Sequence, residues 1–132
     1  METNHISKAQ LLTGRIMSGL IIFFMAFDAI MKFACPPEVI QTTVNELGYK
    51  EHHIFTLGVI ALVCTLLYAI PRTSILGAVL LTGYFGGAMA THLRVDNPLF
   101  SHTLFSVYIS AIMWGGLWLR DLRLRELFPF RK

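Results

Sequence analysis

The chain has 132 residues, of which 55% are apolar and only 14% charged, with a net charge of +3. That length suits one domain, and a soluble domain of this size could not bury so much apolar surface, so the composition excludes an ordinary soluble protein and indicates an integral membrane one. No basic tract interleaved with aromatics occurs outside the C-terminal tail, so nucleic acid is not expected as a partner.

The first apolar segment runs from Leu11 to Ala34, and Cys35-Pro36-Pro37 ends it because proline cannot continue a helix. It lacks a small-residue cleavage site and is expected to be a retained span. The connector that follows contains Ile40, Val44 and Leu47 at i, i+4 and i+7, with Gly48 where a C-terminal cap belongs. This pattern predicts a short amphipathic helix lying on the bilayer surface.

A second span is expected over 54–70, ending at Pro71. The short connector Pro71-Arg72-Thr73-Ser74 makes it an antiparallel neighbour of a third span over 75–91. A fourth covers 103–119, with Trp114 and Trp118 as interfacial anchors. The expected fold is therefore all-α, a single-domain four-helix membrane bundle.

Four spans place both termini on one side. Lys8, Arg15, Arg72, Arg120, Arg123, Arg125, Arg131 and Lys132 share that side, and only Lys32, Lys50 and Arg94 lie opposite. The positive-inside rule then predicts cytoplasmic termini in a cell membrane, such as a bacterial inner membrane. The Arg-, Leu- and Phe-rich tail is expected to rest on anionic lipid headgroups. Cys35 lies near a helix end and Cys64 about 15 Å deeper in the next span, so no disulfide is expected.

The same topology gathers polar residues from separate stretches in the outer half of the bilayer: Asp28, Lys32, His52, His53, His92, Arg94 and His102. Charge in hydrocarbon costs about 2.5–3.5 kcal/mol per group on insertion scales, which favours mutual pairing or a shared polar cavity. Asp28 and Lys32, four apart, can form a local ion pair, or Asp28 can be a functional carboxylate. His92 and Arg94 combine a proton-exchanging ring with a planar donor fork and are the pair on which a ligand site is expected to centre. Tyr84 lies on nearly the same helix face as Thr91 and can line a pocket beneath His92. Gly83, Gly87 and Thr91 repeat every four residues, a small-residue face suited to helix packing. His102, Ser106 and Ser110 form a thin polar stripe on the fourth span. No pair of histidines or acids has metal-ligand spacing, and the histidines sit at span ends, so neither metal nor haem is expected.

Three stretches resemble the DoxX-like family of small four-helix membrane proteins. They are Ala29-Ile30-Met31-Lys32-Phe33, the run PRTSILGAVLLTGYFGGAMATHLRV from Pro71 to Val95, and WGGLWLRDLRLRELFP from Trp114 to Pro129. The resemblance implies the four-helix bundle and gives weight to Lys32, Gly87, His92, Leu93 and Arg94. The broader DoxX/DoxD group includes a membrane subunit associated with thiosulfate:quinone oxidoreductase and members linked to oxidant defence. By that analogy the expected role is a quinone-binding or anchoring subunit of a redox system, with a soluble redox partner or a second copy of the chain. The sequence holds no cofactor fingerprint, so the chain would supply a quinone pocket or docking surface and at most an accessory part of an oxidoreductase. Two other readings stay open: a non-enzymatic lipid-binding or partner-stabilising protein, and a small transporter.

Overall fold

The computed structural model describes residues 6–130, and Arg131 and Lys132 of the basic tail lie outside them. Helix α1 spans Lys8–Ala34. It starts a turn before the apolar run because Ser7 and Gln10 form a capping box, each side chain bonding to the other's backbone N–H. Its last turn closes at Cys35, whose left-handed φ of 51° turns the chain into Pro36.

The connector is helical as the spacing predicts, but it is built in two pieces. Helix α2, Pro37–Ile40, leads into a wider π-type stretch, Gln41–Glu46. Gly48 ends it at φ 83°, a conformation that suits glycine, with its N–H on the Val44 carbonyl.

Helix α3 spans His53–Ala69 and α4 spans Ser74–Arg94, joined by the tight turn Pro71–Thr73. A π-type turn, Leu99–Thr103, precedes α5, Phe105–Arg120. Asp121 then breaks the chain and caps α6, Leu122–Leu127, accepting from the backbone N–H groups of Arg123 and Leu124. The described residues thus hold six α-helices where the sequence predicts four spans and one surface helix. The extra one, α6, lies in the basic tail beyond the fourth span and is set off from α5 by the capping Asp121.

Each long helix packs against two others: α1 against α3 and α5, and α4 against α3 and α5. Ile21, Met25, Ala29, Ala61, Tyr68, Leu81, Met113 and Leu117 form the buried centre. Phe23, Leu12, Ile30, Phe55 and Leu66 face outward and exposed. So large an apolar girdle would drive a soluble protein to aggregate, whereas lipid covers it at no cost. Three helices, Lys8–Ala34, Pro71–Arg94 and Leu99–Arg120, are long and apolar enough to cross a membrane, and α3 is a shorter apolar helix of 17 residues.

Close helix contact falls on glycines other than those the small-residue pattern suggests. A Cβ on Gly14 would lie 2.7 Å from the Gly116 carbonyl oxygen, and one on Gly77 would collide with the backbone of Tyr68. At Gly83, Gly86 and Gly87 it would meet nothing within 4 Å. Thr91 is not at a helix contact of this kind either; its hydroxyl bonds to the Gly87 carbonyl and to Tyr49.

The end of the molecule near the chain termini is fastened by a directional chain of hydrogen bonds. The buried Tyr68 hydroxyl donates its one proton to the Met113 carbonyl at 2.8 Å. Ser18, 2.8 Å away, must therefore donate to Tyr68, and it accepts in turn from Arg120 Nε at 3.1 Å. Arg125 folds back onto the carbonyls of Trp118 and Leu119, which are the orphan acceptors at the end of α5, and lies over the Trp118 ring. Of the tail arginines, Arg123 faces outward.

Candidate functional site

At the opposite end, all four long helices and the connector line a partly open cavity of about 460 Å³. Helix α1 contributes Phe24, Met25, Asp28 and Lys32, and α4 contributes Gly83, Tyr84, Phe85, Gly87, Ala88 and His92. Leu57 and Ile60 come from α3, and Phe105, Ser106 and Ile109 from the start of α5. Thr42, Thr43, Leu47 and Tyr49 of the connector form the remaining wall. The missing side chains of Gly83 and Gly87 leave room here, so in this chain the small face of α4 widens a hollow.

The polar groups are few and specifically held. Lys32 Nζ donates to Asp28 Oδ2 at 2.7 Å, with the two side chains 15% and 33% exposed. One helix turn separates them, so the pair forms within α1 and brings no net charge to the cavity wall. Asn97 Nδ2 lies 2.7 Å from His92 Nδ1. An amide NH₂ can only donate, so Nδ1 accepts, and the neutral ring carries its proton on Nε2. The His92 and His102 rings meet edge-on with centroids 5.8 Å apart, and His102 is itself exposed and bonded to Ser101.

Asp28, Lys32, Tyr84 and His92 therefore share one cavity with Gly83 and Gly87. Arg94 and His102 are not among its lining residues. Arg94 reaches the connector, where Nη2 donates to the Leu47 carbonyl at 2.7 Å beside Gly48. Leu93 points outward. The His52 and His53 rings meet edge-on near the start of α3, with centroids 4.3 Å apart, and His53 also meets the Tyr49 ring edge-on. Among the described residues no group of His, Cys, Asp and Glu could hold a metal ion, and Cys35 and Cys64 are free thiols.

Several residues at the site lack a strong sequence signal. Tyr49, Thr42, Thr43 and Asn97 sit in connectors, and nothing in their spacing says which helix they meet. Of the connector's apolar residues at i, i+4 and i+7, Leu47 lines the cavity and Ile40 and Val44 do not.

Comparison with curated proteins and with solved structures finds no match. The family model described as the DoxX-like family matches residues 16–116, which takes in α1 from its third turn, the connector, α3, α4 and most of α5. The matched stretch includes every residue that lines the cavity, and on that coverage the chain belongs to the DoxX-like family.

Proposed function

We propose that this DoxX-like membrane protein is a four-span bundle of the cell membrane, with both termini cytoplasmic, that holds a quinone headgroup in its cavity as a binding or anchoring subunit of a redox system. One observation carries the reading: an apolar, aromatic cavity of about 460 Å³ on which a few hydrogen-bonding groups converge. Small-molecule sites commonly have this character and measure about 300–1,000 Å³. A bound quinone supplies carrier chemistry for electrons and protons. Lys32, Tyr84 and the Nε2–H of His92 would donate to its two carbonyl oxygens, and Phe24, Phe85 and Phe105 offer ring faces. Asp28 would exchange a proton through its pair with Lys32, while Arg94 and His102 act from outside the cavity by holding the connector and His92.

Helix α3, about 26 Å long at the helical rise, would cross a bilayer with slight local thinning. Lys8, Arg15, Arg72, Arg120, Arg123 and Arg125 lie at the end of the molecule near the termini, and Lys32, Lys50 and Arg94 at the other, which supports the orientation.

A second reading has its own support. No buried side-chain polar atom among the described residues lacks a hydrogen-bond partner, so the cluster is stable without a ligand and can serve a lipid-binding or partner-stabilising protein. The deciding experiment is mass spectrometry of small molecules carried by the gently purified protein, with Gly87→Leu beside it. A stoichiometric isoprenoid quinone, absent from the variant while its thermal unfolding is unchanged, is the expected result. Bulk phospholipid alone from both proteins would remove the quinone reading.

A further inference from the structure

A second hollow, of about 310 Å³ and almost wholly apolar, lies on the outside of the molecule between α1 and α5. Leu20, Phe23, Phe27 and Ile112 line it. Phe24 and Ile109 belong to its wall and also to the wall of the cavity. The two spaces are thus neighbours across those two side chains, with the Phe105 ring 5.8 Å from that of Phe24. Phe24 lies one turn from Asp28 along α1 and Leu20 two turns, about 12 Å towards the bilayer centre. Helices α1 and α5 are clamped at Gly14 and Gly116, further along the same seam, which closes the groove at that end.

From this continuity we infer that the groove is the tail subsite of the cavity. A ligand with a polar ring and a single flexible hydrocarbon tail places the ring by Asp28, Lys32 and His92 and leads its tail out past Phe24 and Ile109, between α1 and α5. The inference rests on the quinone reading and adds to it a route and a requirement for a tail. The apolar side chains of Phe24 and Ile109 at the crossing can shift by side-chain rotation, whereas a charged or headgroup-sized substituent has no polar partner in the groove.

The test uses the full chain in phosphatidylcholine vesicles and two probes: a tail-less dimethoxy-methyl-benzoquinone, and the same ring with a decyl tail ending in a diazirine. Photolysis of the wild-type protein should label Leu20, Phe23, Phe27 or Ile112, and excess tail-less probe should suppress that labelling. Leu20→Trp or Ile112→Trp, which fill the groove, should weaken the tailed probe about ten-fold relative to the tail-less one. Label that is competed by the tail-less ring but falls on α3 or α4 overturns the tail route and leaves the quinone reading standing. An absence of competable label, with no retention of the tail-less probe, overturns both.

Discussion

The hydroxyls of Tyr49 and Thr91, 42 positions apart in the chain, lie 2.7 Å from each other and tie the connector to α4 at the rim of the cavity. Arg94 Nη2 adds a second tie to the Leu47 carbonyl, one turn further along α4. The cavity wall formed by residues 42–49 is therefore fastened to α4 by two bonds close to Gly48. Tyr49→Phe should cost about 0.5–1.5 kcal/mol, the usual net worth of one hydrogen bond, because Thr91 keeps its bond to Gly87. Amide hydrogen exchange should rise over residues 41–49 and stay unchanged in α3.

Tyr68→Phe removes the middle link of a buried chain from Arg120 to the Met113 carbonyl. It leaves that carbonyl without its side-chain donor and Ser18 without its acceptor, at a cost of about 1–3 kcal/mol. Thermal unfolding in detergent should report the loss. Ligand binding at the far end of the bundle should not change.

Glycines in α4 should separate into two classes. Gly77→Leu puts a side chain where the backbone of Tyr68 already stands, and the folded yield should collapse. Gly86→Ala meets open space and should unfold within about 0.5 kcal/mol of wild type. Size-exclusion profiles of both variants check the contrast.

Asp28 and Lys32 should behave as a coupled pair. Asp28→Asn and Lys32→Met each strand a part-buried partner, and the double variant should recover some of the loss, with a coupling of about 0.5–3 kcal/mol. Additive effects in a double-mutant cycle would show that the two groups act separately.

Orientation is checkable by thiol labelling in a Cys35→Ser, Cys64→Ser background. Lys50→Cys should react with an impermeant maleimide from outside intact cells, and Arg123→Cys only after permeabilisation. The reverse pattern would turn the protein over in the membrane.

What the sequence by itself determined is whatever depends on composition and local spacing. Apolar run length, the prolines at 36, 37 and 71, and the capping Gly48 define the helices through rules that act within a few residues. The Asp28–Lys32 pair was legible for the same reason, since four residues bring two side chains together on any helix. Other features depend on which helix faces which, a choice made by packing of the whole bundle. Gly83 and Gly87 have the spacing of a contact face, yet the contacts go to Gly14, Gly77 and Gly116, because ridges and backbones of particular neighbours meet there. Arg94 and His92 are two residues apart and so lie on different faces of α4, sending one to the connector carbonyl and the other to the cavity. The Arg120–Ser18–Tyr68 chain joins three helices at separations of 50 and 102 residues, and no local pattern encodes such a meeting. Only the tertiary structure, which must fill a core and satisfy every buried polar group at once, decides those partners.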